Sequence, residues 1–280
     1  MAYPSGLVDT HAHLDDDRFG AEVGDVIRRA VDAGVGQMIS VGTDLPSSRA
    51  AVALAESYGE VYATVGVHPH SATKLSPAEL DEIHSMAAHP KVVAVGETGL
   101  DFYRDLSPKE AQREAFRAQL QLANHANKPV VVHIRDQKGQ NQAHDEALTI
   151  LRGWAADLPA SRRADPSARL GVLHCFSGEE AWARKALALG FCLGVDGPVT
   201  FPNAKALQAM VASLPLDAWL LETDCPYLAP QAQRGRRNEP AFLPYIAAKV
   251  AELNKVDIQD VAEVTSANAR RLFRLPAVAG

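Results

Sequence analysis

Two histidines with one residue between them follow an apolar run near the start of the chain. His11 and His13 come directly after Gly6-Leu7-Val8, a run typical of a short buried strand. Successive side chains of a strand point to opposite faces, so these two imidazoles share a face. Neutral imidazole is a common ligand of zinc and similar metals. The pair therefore predicts two metal ligands, although an isolated His-x-His is also frequent in surface loops.

Residues of metal-binding types recur at the ends of later apolar runs. These runs are predicted as strands, because near-continuous Val, Ile and Leu is typical of a sheet covered on both faces. In chain order, the candidate ligands at the predicted strand ends are His11, His13, Glu97, His133, His174 and Asp224. Their recurrence at one structural position favours a shared site over separate buried polar groups. A catalytic zinc takes about three protein ligands, so this larger set predicts two divalent metal ions.

The two carboxylates of this set have distinct predicted roles in catalysis. Glu97 offers two oxygens and is the predicted bridge between the ions. Asp224 is predicted to be a general base as well as a ligand, since it could hold a water molecule and accept its proton. Imidazole and carboxylate suit zinc, manganese, iron or, less well, magnesium, so the metal stays open. Two divalent ions against two carboxylates leave a charge of about +2, which favours an anionic substrate such as a phosphate ester.

Further polar residues beside the strand ends are candidate substrate contacts. His68, in Val67-His68-Pro69-His70, follows the third predicted strand and is a candidate catalytic residue that would touch a substrate oxygen. A structural turn is the alternative for this segment. The remaining candidates for substrate binding are Asp101, Arg104, Arg135, Ser177 and Arg236. Arg236 belongs to the basic loop 234–237, which would either position a phosphate or simply be solvated.

Eight short apolar runs alternate with helical patterns along the chain. The predicted strands are 6–8, 37–41, 61–67, 92–95, 129–132, 170–173, 191–194 and 219–221. The predicted helices are 21–33, 46–58, 143–154 and two more that open after the capping serines Ser76 and Ser107. This alternation predicts a single α/β domain, a (β/α)8 TIM-type barrel with the metal site at the C-terminal ends of the strands. An open doubly wound sheet is the alternative, because strand order cannot be read from one sequence.

Composition and charge bound the remaining choices. The 280 residues, 47% of them hydrophobic, are enough for one domain over 1–280 with a large core. A net charge of −6 argues against a broad surface for duplex nucleic acid, so any phosphate affinity must be local. Three cysteines without a close pair, and an N-terminus without a leader pattern, predict a cytoplasmic protein. No apolar run approaches a membrane span, and no obligate protein partner is inferred.

Several of these segments occur together in one known family. They are DTHAHLD at 9–15, VGVHP at 65–69, GETGLD at 96–101, HCFSG at 174–178, ETDCPYL at 222–228 and RNEP at 237–240. From about Leu7 to Phe273 the chain resembles the TatD family of metal-dependent deoxyribonucleases, within the amidohydrolase superfamily. The resemblance implies a 3′ to 5′ exonuclease or repair phosphodiesterase acting on DNA, with single strands or 3′ ends favoured. By motif position it implies the same six metal ligands, with His68 near the substrate.

An amidohydrolase acting on a small amide or ester is the alternative function. Many related barrels use a carbamylated lysine as the metal bridge, whereas Glu97 ends the fourth predicted strand here, which favours the nuclease. The chain lacks a Gly-x-Ser-x-Gly elbow, a P-loop and a dinucleotide fingerprint. Asp196 stands where the family often has Ser or Asn, and an acid there would repel phosphate. The proline-containing loop 157–167 is predicted to lie on the lower rim, away from the chemistry.

Overall fold

Eight parallel strands form one sheet in chain order, described by a computed structural model over residues 4–104, 106–159 and 169–277. The strands are β1 (Leu7–Ala12), β2 (Val35–Val41), β3 (Val61–Val65), β4 (Val92–Asp101), β5 (Val130–Arg135), β6 (Gly171–Leu173), β7 (Phe191–Val195) and β8 (Trp219–Leu221). Ala12 at the end of β1 forms a parallel bridge with Cys225, just beyond β8. The first and last strands therefore adjoin, and the predicted (β/α)8 barrel is confirmed.

Helices follow the strands in the alternating pattern that parallel pairing requires. They are α1 (Val23–Asp32), α2 (Leu45–Ser57), α3 (Pro77–Ala87), α4 (Lys109–His125), α5 (Gln142–Ala156), α6 (Glu180–Ala188), α7 (Lys205–Ser213), α8 (Leu243–Asn254) and α9 (Ile258–Phe273). Short 3-10 turns span Gly20–Glu22, Pro69–Lys74, Gly197–Thr200, Leu216–Ala218, Gln231–Gln233 and Pro240–Phe242. Within the described ranges, no helix is long and apolar enough to cross a membrane.

The chain divides into two compact units, each built from several segments. The first contains Met1–Ser40, Leu54–Tyr62 and Gly194–Gly280. It includes β1, most of β2, β8 and the last two helices. The second contains Val41–Ala53 and Ala63–Leu193, and so includes β4, β5 and β6. The predicted single domain over 1–280 stays a prediction.

The strands form where the chain is apolar enough to be covered on both faces. Every residue of β1, β3 and β4 is buried, which explains why their sequences lack the polar-apolar alternation of a half-exposed strand. In α1, Val26, Ile27 and Ala30 are buried, at the spacing that places them on one face. Polar side chains buried at the ends of β1 and β4 are therefore exceptions to an otherwise apolar core.

The fourth strand is longer than the sequence predicts, and this changes the position of two candidate residues. It continues to Asp101 because residues 98–101 pair in parallel with 132–135 of β5, after a register shift between Val95 and Thr98. Glu97 and Asp101 thus lie within the strand instead of after it. Gly99 (φ +139°) permits the close approach, since a Cβ there would lie 2.0 Å from the His133 carbonyl oxygen.

The two serine-initiated helices differ from each other in how they begin. Ser76 caps α3 as predicted: its side chain accepts from the Glu79 amide at 3.3 Å, and the Glu79 carboxylate accepts from the Ser76 amide at 2.8 Å. The predicted cap at Ser107 is wrong, because α4 begins after Pro108. The Ser107 hydroxyl instead donates to the carbonyl oxygen of His70 at 2.9 Å. Ser107 therefore fixes the segment after β3.

The C-terminal helices were not predicted, although one has a readable signal. Asp257 caps α9 by accepting a hydrogen bond from the Gln259 amide at 2.8 Å, and apolar residues then recur at helical spacing. The predicted strands and helices otherwise match the observed elements to within a few residues. Most of the predicted lower-rim loop, 160–167, lies outside the described residues.

Candidate metal centre

Three predicted ligands lie together in the first unit. The Asp224 Oδ1 atom lies 3.4 Å from His13 Nε2 and 3.8 Å from His11 Nε2. The two imidazole rings meet edge to face, with centroids 5.1 Å apart. His11 is fully buried, whereas His13 and Asp224 are partly exposed. One imidazole pair and one carboxylate thus converge at the junction of β1 with the segment after β8.

Backbone hydrogen bonds fix this junction. The Asp224 amide donates to the His11 carbonyl at 2.9 Å, and the His13 amide donates to the Cys225 carbonyl at 2.8 Å. Asp224 has a φ of +52°, which turns its side chain back towards β1. The strand pairing, instead of side-chain contacts alone, therefore places the three ligands.

Asp9 supports the same junction from within the core. Its carboxylate accepts hydrogen bonds from the Thr223 hydroxyl at 2.6 Å, the Thr223 amide at 3.0 Å and the His11 amide at 3.3 Å. Burial raises the pKa of the Asp9 carboxyl to about 7, although these hydrogen bonds oppose the shift. Asn238 donates to the Thr223 carbonyl at 2.8 Å and so ties the following loop to this segment.

The second unit gathers three histidines around one carboxylate oxygen. Glu97 Oε1 lies 2.9 Å from His174 Nε2, 3.0 Å from His133 Nδ1 and 3.4 Å from His68 Nε2. Glu97 is 3% exposed, so these groups converge away from bulk water. The predicted ligands from β4, β5 and the segment after β6 are therefore neighbours.

Asp101 lies behind this cluster and is fully buried. Its Oδ2 atom lies 3.1 Å from His133 Nε2 and 2.9 Å from His70 Nε2, while Oδ1 accepts from the Tyr103 and Arg104 amides. Burial raises the pKa of the Asp101 carboxyl, but the hydrogen bonds from His133 and His70 and from the Arg104 amide outweigh it, so the net shift is downward. Predicted as a substrate contact, Asp101 is placed to orient two imidazoles.

The contacts of each ring indicate which nitrogen holds its proton. His68 Nδ1 accepts from the His70 amide at 3.1 Å, so the neutral ring bears its proton on Nε2 and is a donor there. His133 Nε2 faces the Asp101 carboxylate at 3.1 Å, so the neutral ring bears its proton there and carries its lone pair on Nδ1, on the Glu97 side. His133 is thus suited to be a ligand, and His68 to donate a hydrogen bond to a substrate oxygen.

Burial and charge shift the two rings in opposite directions. Burial lowers the pKa of His68 well below its usual value, and the Glu97 charge only partly offsets this. Burial also lowers the pKa of His133, but hydrogen bonds with Asp101 and Glu97 raise it by more, so the net shift is upward. His68 therefore stays neutral across the physiological range.

A buried glutamine holds the end of β3 against β4. Gln119 of α4 accepts from the Val67 amide at 2.7 Å and donates to the Val67 carbonyl at 2.9 Å and the Thr98 hydroxyl at 2.8 Å. Its side chain is fully buried. Gln119 therefore holds Val67, the residue before His68, and Thr98, the residue after Glu97.

The spacing of the donor atoms fits metal ions. Ligands held at 2.0–2.2 Å around a tetrahedral ion lie roughly 3.3–3.6 Å from one another. His13 Nε2 and Asp224 Oδ1 are 3.4 Å apart, and His133 Nδ1, His174 Nε2 and Glu97 Oε1 lie 2.9–3.3 Å from one another. Imidazole and carboxylate in this arrangement are the chemistry of zinc and manganese sites.

The other predicted substrate residues lie on the surface, apart from Asp101. Arg104, Arg135, Ser177 and Arg236 are all exposed. The guanidinium of Arg135 lies 4.2 Å from the Tyr103 ring centroid, and Arg236 donates to Gln233 at 2.8 Å. Arg237, in the same basic loop, pairs with Glu22 at 2.8 Å. Asp196, whose acidity bears on substrate choice, is buried after β7.

Sequence reasoning missed supporting residues more than ligands. Asp9, His70 and Asn238 stand within or beside the quoted motifs, but their roles depend on hydrogen bonds to distant segments. The sequence signal that could have found them is a polar residue within or beside a motif that adjoins a predicted strand.

Comparison with known proteins gives the family. The chain matches the family described as TatD related DNase over residues 8–274. It is 39% identical over 269 residues to the uncharacterized metal-dependent hydrolase YabD of Bacillus subtilis (strain 168), covering 96% of this chain and 99% of that protein. It is 38% identical over 272 residues to the 3′-5′ ssDNA/RNA exonuclease TatD of Klebsiella pneumoniae (strain 342), covering 95% and 97%.

A solved structure agrees with the sequence comparisons. YjjV, a TatD homolog from Escherichia coli K12, superimposes with a TM-score of 0.86 at 33% identity, over 96% of this chain and 98% of that one. The extent of these matches confirms the resemblance that the motifs predicted. The chain belongs to the family of TatD-related DNases.

Proposed function

We propose that this protein is a metal-dependent nuclease that hydrolyses phosphodiester bonds at the 3′ ends of single-stranded nucleic acid. Its family consists of metal-dependent hydrolases, and relatives about 38% identical are named 3′-5′ ssDNA/RNA exonucleases. The observation that carries the proposal is the convergence of His68, His133 and His174 on one Glu97 oxygen, at 2.9–3.4 Å. Such a cluster is costly to bury unless a cation completes it.

Two divalent ions fit the two groups of donors. We assign His11, His13 and Asp224 to one ion, and Glu97, His133 and His174 to the other. The predicted bridging role of Glu97 stays a prediction. Zinc, manganese and magnesium are all candidates, with His-rich ligation favouring the first two. When bound, such ions lower the pKa of water and neutralise charge on a phosphate oxygen.

The chain's own residues supply the proton transfers and the orientation of the substrate. Asp224 is partly exposed, so its carboxylate is accessible to accept the proton of an attacking water molecule. His68 donates from Nε2 to a phosphate oxygen, because its Nδ1 is occupied by the His70 amide. Asp101 holds His133 and His70 in their orientations from beneath. Arg104, Arg135, Ser177 and Arg236 are exposed and available for the remaining phosphates.

The three cysteines, Cys175, Cys192 and Cys225, form no disulfide, which favours a reducing compartment. We propose that the protein is a single-domain enzyme of the cytoplasm. The net charge of −6 argues against a broad basic surface for duplex, which favours a substrate that reaches the site as a single strand.

The decisive experiment uses 3′- and 5′-labelled single-stranded DNA and RNA with metal-loaded protein. We expect nucleotides to be released from the 3′ end, release to stop with a chelator, and Asp224→Asn to slow it by a factor of about 10² or more. Gln142→Ala, on the exposed start of α5, is the matched control and retains the activity. Equal degradation by wild type and Asp224→Asn would refute the assignment. Faster turnover of a lactone or cyclic amide would instead support a small-molecule hydrolase.

A further inference from the structure

Two exposed tyrosines lie in segments that carry candidate metal ligands or the residues that support them. Among the Phe, Tyr and Trp residues that the structure describes, only Tyr103 and Tyr227 are exposed, at 48% and 46%. Tyr103 comes two residues after Asp101, and Tyr227 three residues after Asp224. The described ranges contain six exposed large hydrophobic side chains. Four of them lie in these two segments: the two tyrosines, Leu106 and Leu228.

Each of the two rings carries an arginine at the same distance. The Arg135 guanidinium lies 4.2 Å from the centroid of Tyr103, and the Arg18 guanidinium lies 4.2 Å from that of Tyr227. Both arginines are exposed. A ring and a guanidinium together form a flat, cationic surface at the edge of water, which is suited to a planar ring carried by an anionic chain.

Both arginine–tyrosine pairs are held in place by contacts beneath them. Asp16 accepts from Arg18 Nε at 2.8 Å and Nη2 at 2.7 Å, which fixes the plane of that guanidinium. The Tyr227 ring meets His13 edge to face at 5.9 Å. In the other pair, the Tyr103 amide donates to the Asp101 carboxylate at 2.9 Å. Arg135 of β5 lies opposite Asp101 of β4 in the register of the two strands.

We propose that the pairs Tyr103–Arg135 and Tyr227–Arg18 are stacking platforms for nucleobases of the single-stranded substrate. This inference rests on the proposed function and adds a subsite to it. Every base has a π face, so stacking on tyrosine and arginine holds a strand without reading its sequence. A base paired within a duplex cannot present that face, and the platforms therefore select single strands.

An ordinary surface cation–π pair would look similar, so the test must respond to the base itself. We compare a single-stranded oligonucleotide with versions lacking the base at one position, moved through the last four 3′ nucleotides. Wild type is expected to favour the complete strand in kcat/KM by roughly 5- to 150-fold at the stacked positions, the factor for losing one stacked base. The effect falls mainly on KM.

The variants then assign the preference to each platform. Tyr103→Leu and Tyr227→Leu are each expected to bring the ratio of complete to abasic strand towards one at its own position, while Tyr103→Phe and Tyr227→Phe retain it. Tyr58→Leu removes a tyrosine that follows α2, outside both platforms, and keeps the wild-type ratio. A ratio that survives the Leu variants would overturn the inference while the nuclease stands. If wild type releases no nucleotide from any oligonucleotide, the proposed function itself fails.

A second measurement does not depend on the activity of the variants. Oligonucleotides carrying 5-iodouracil at each of the same positions are irradiated with wild-type protein, and the adducts are located by mass spectrometry. Adducts on Tyr103 and Tyr227 are expected. Adducts confined to other residues would overturn the inference.

Discussion

Replacing Asp101 by asparagine tests whether this buried carboxylate sets the metal affinity of the second unit. Its Oδ1 atom accepts from two backbone amides, at 2.9 Å each, and an asparagine oxygen can keep both. Its Oδ2 atom faces His133 Nε2 at 3.1 Å and His70 Nε2 at 2.9 Å. An amide NH2 at that position is a donor, so it opposes a proton on His133 Nε2 and favours the tautomer with the proton on Nδ1.

That change of tautomer blocks the lone pair that faces Glu97. Second-layer partners of ligating histidines typically contribute 10- to 100-fold to metal affinity, which corresponds to about 1.4–2.7 kcal/mol. We therefore expect Asp101→Asn to weaken zinc or manganese binding by that factor in isothermal titration calorimetry. The loss should be carried by one of the two sites, because the His11–His13–Asp224 group has its own supporting residues.

Asp136→Asn is the matched control, because it makes the same change at another buried aspartate–histidine contact. Asp136 Oδ2 lies 2.7 Å from His144 Nδ1, and its two oxygens cap α5 through the Ala143 and His144 amides. Both variants should lose stability of similar size, about 1–3 kcal/mol each. Only Asp101→Asn should lose metal affinity. Binding within twofold of wild type for Asp101→Asn, or an equal loss in both variants, would refute the tautomer argument.

Three further predictions concern pH, packing and metal-linked stability. Metal affinity and activity should decline as pH falls towards and below about 6.5, because histidine ligands must be neutral to bind. The raised pKa of His133 makes that decline begin above about pH 6.5. A flat pH–rate profile down to pH 5 would contradict histidine ligation. Gln119→Leu should lower the free energy of unfolding by about 2–4 kcal/mol in urea melts, since it leaves the Val67 amide and carbonyl unpaired, whereas Gln259→Leu on the exposed start of α9 should change it by less than about 0.5 kcal/mol. Adding metal at 100 times its Kd should stabilise the fold by about 2.7 kcal/mol in thermal melts, and Glu97→Gln should remove most of that gain.

The positions of the candidate ligands were readable from the sequence because a parallel barrel brings the C-terminal ends of all strands to one rim. His11, His133 and His174 each follow an apolar run, so residue type and position together were informative. The sequence could not predict which candidate ligands contact the same supporting residue, because those contacts depend on strand register. The register shift between Val95 and Thr98 brings Asp101 level with Arg135, and no local pattern encodes it.

Capping at Ser107 illustrates the same limit. Ser-Pro-x-Glu occurs at both Ser76 and Ser107, and local chemistry favours a capping box at each. At Ser107 the hydroxyl donates to the His70 carbonyl instead. Gln112 then completes the turn by donating to the Ser107 carbonyl at 2.8 Å. A tertiary contact that fixes the site outweighs the local cap there.

The pKa values of His68 and His133 shift in opposite directions because His68 faces one carboxylate and His133 faces two. Both rings are partly buried and both face Glu97, but only His133 has Asp101 on its other side. The second carboxylate outweighs desolvation for His133, whereas desolvation wins for His68. Without metal, His133 therefore binds a proton at a higher pH than His68 does, and His133 is the ring that must become a ligand. Binding of an ion must release that proton, so the proton release measured by calorimetry in buffers of different ionisation enthalpy should shrink in Asp101→Asn.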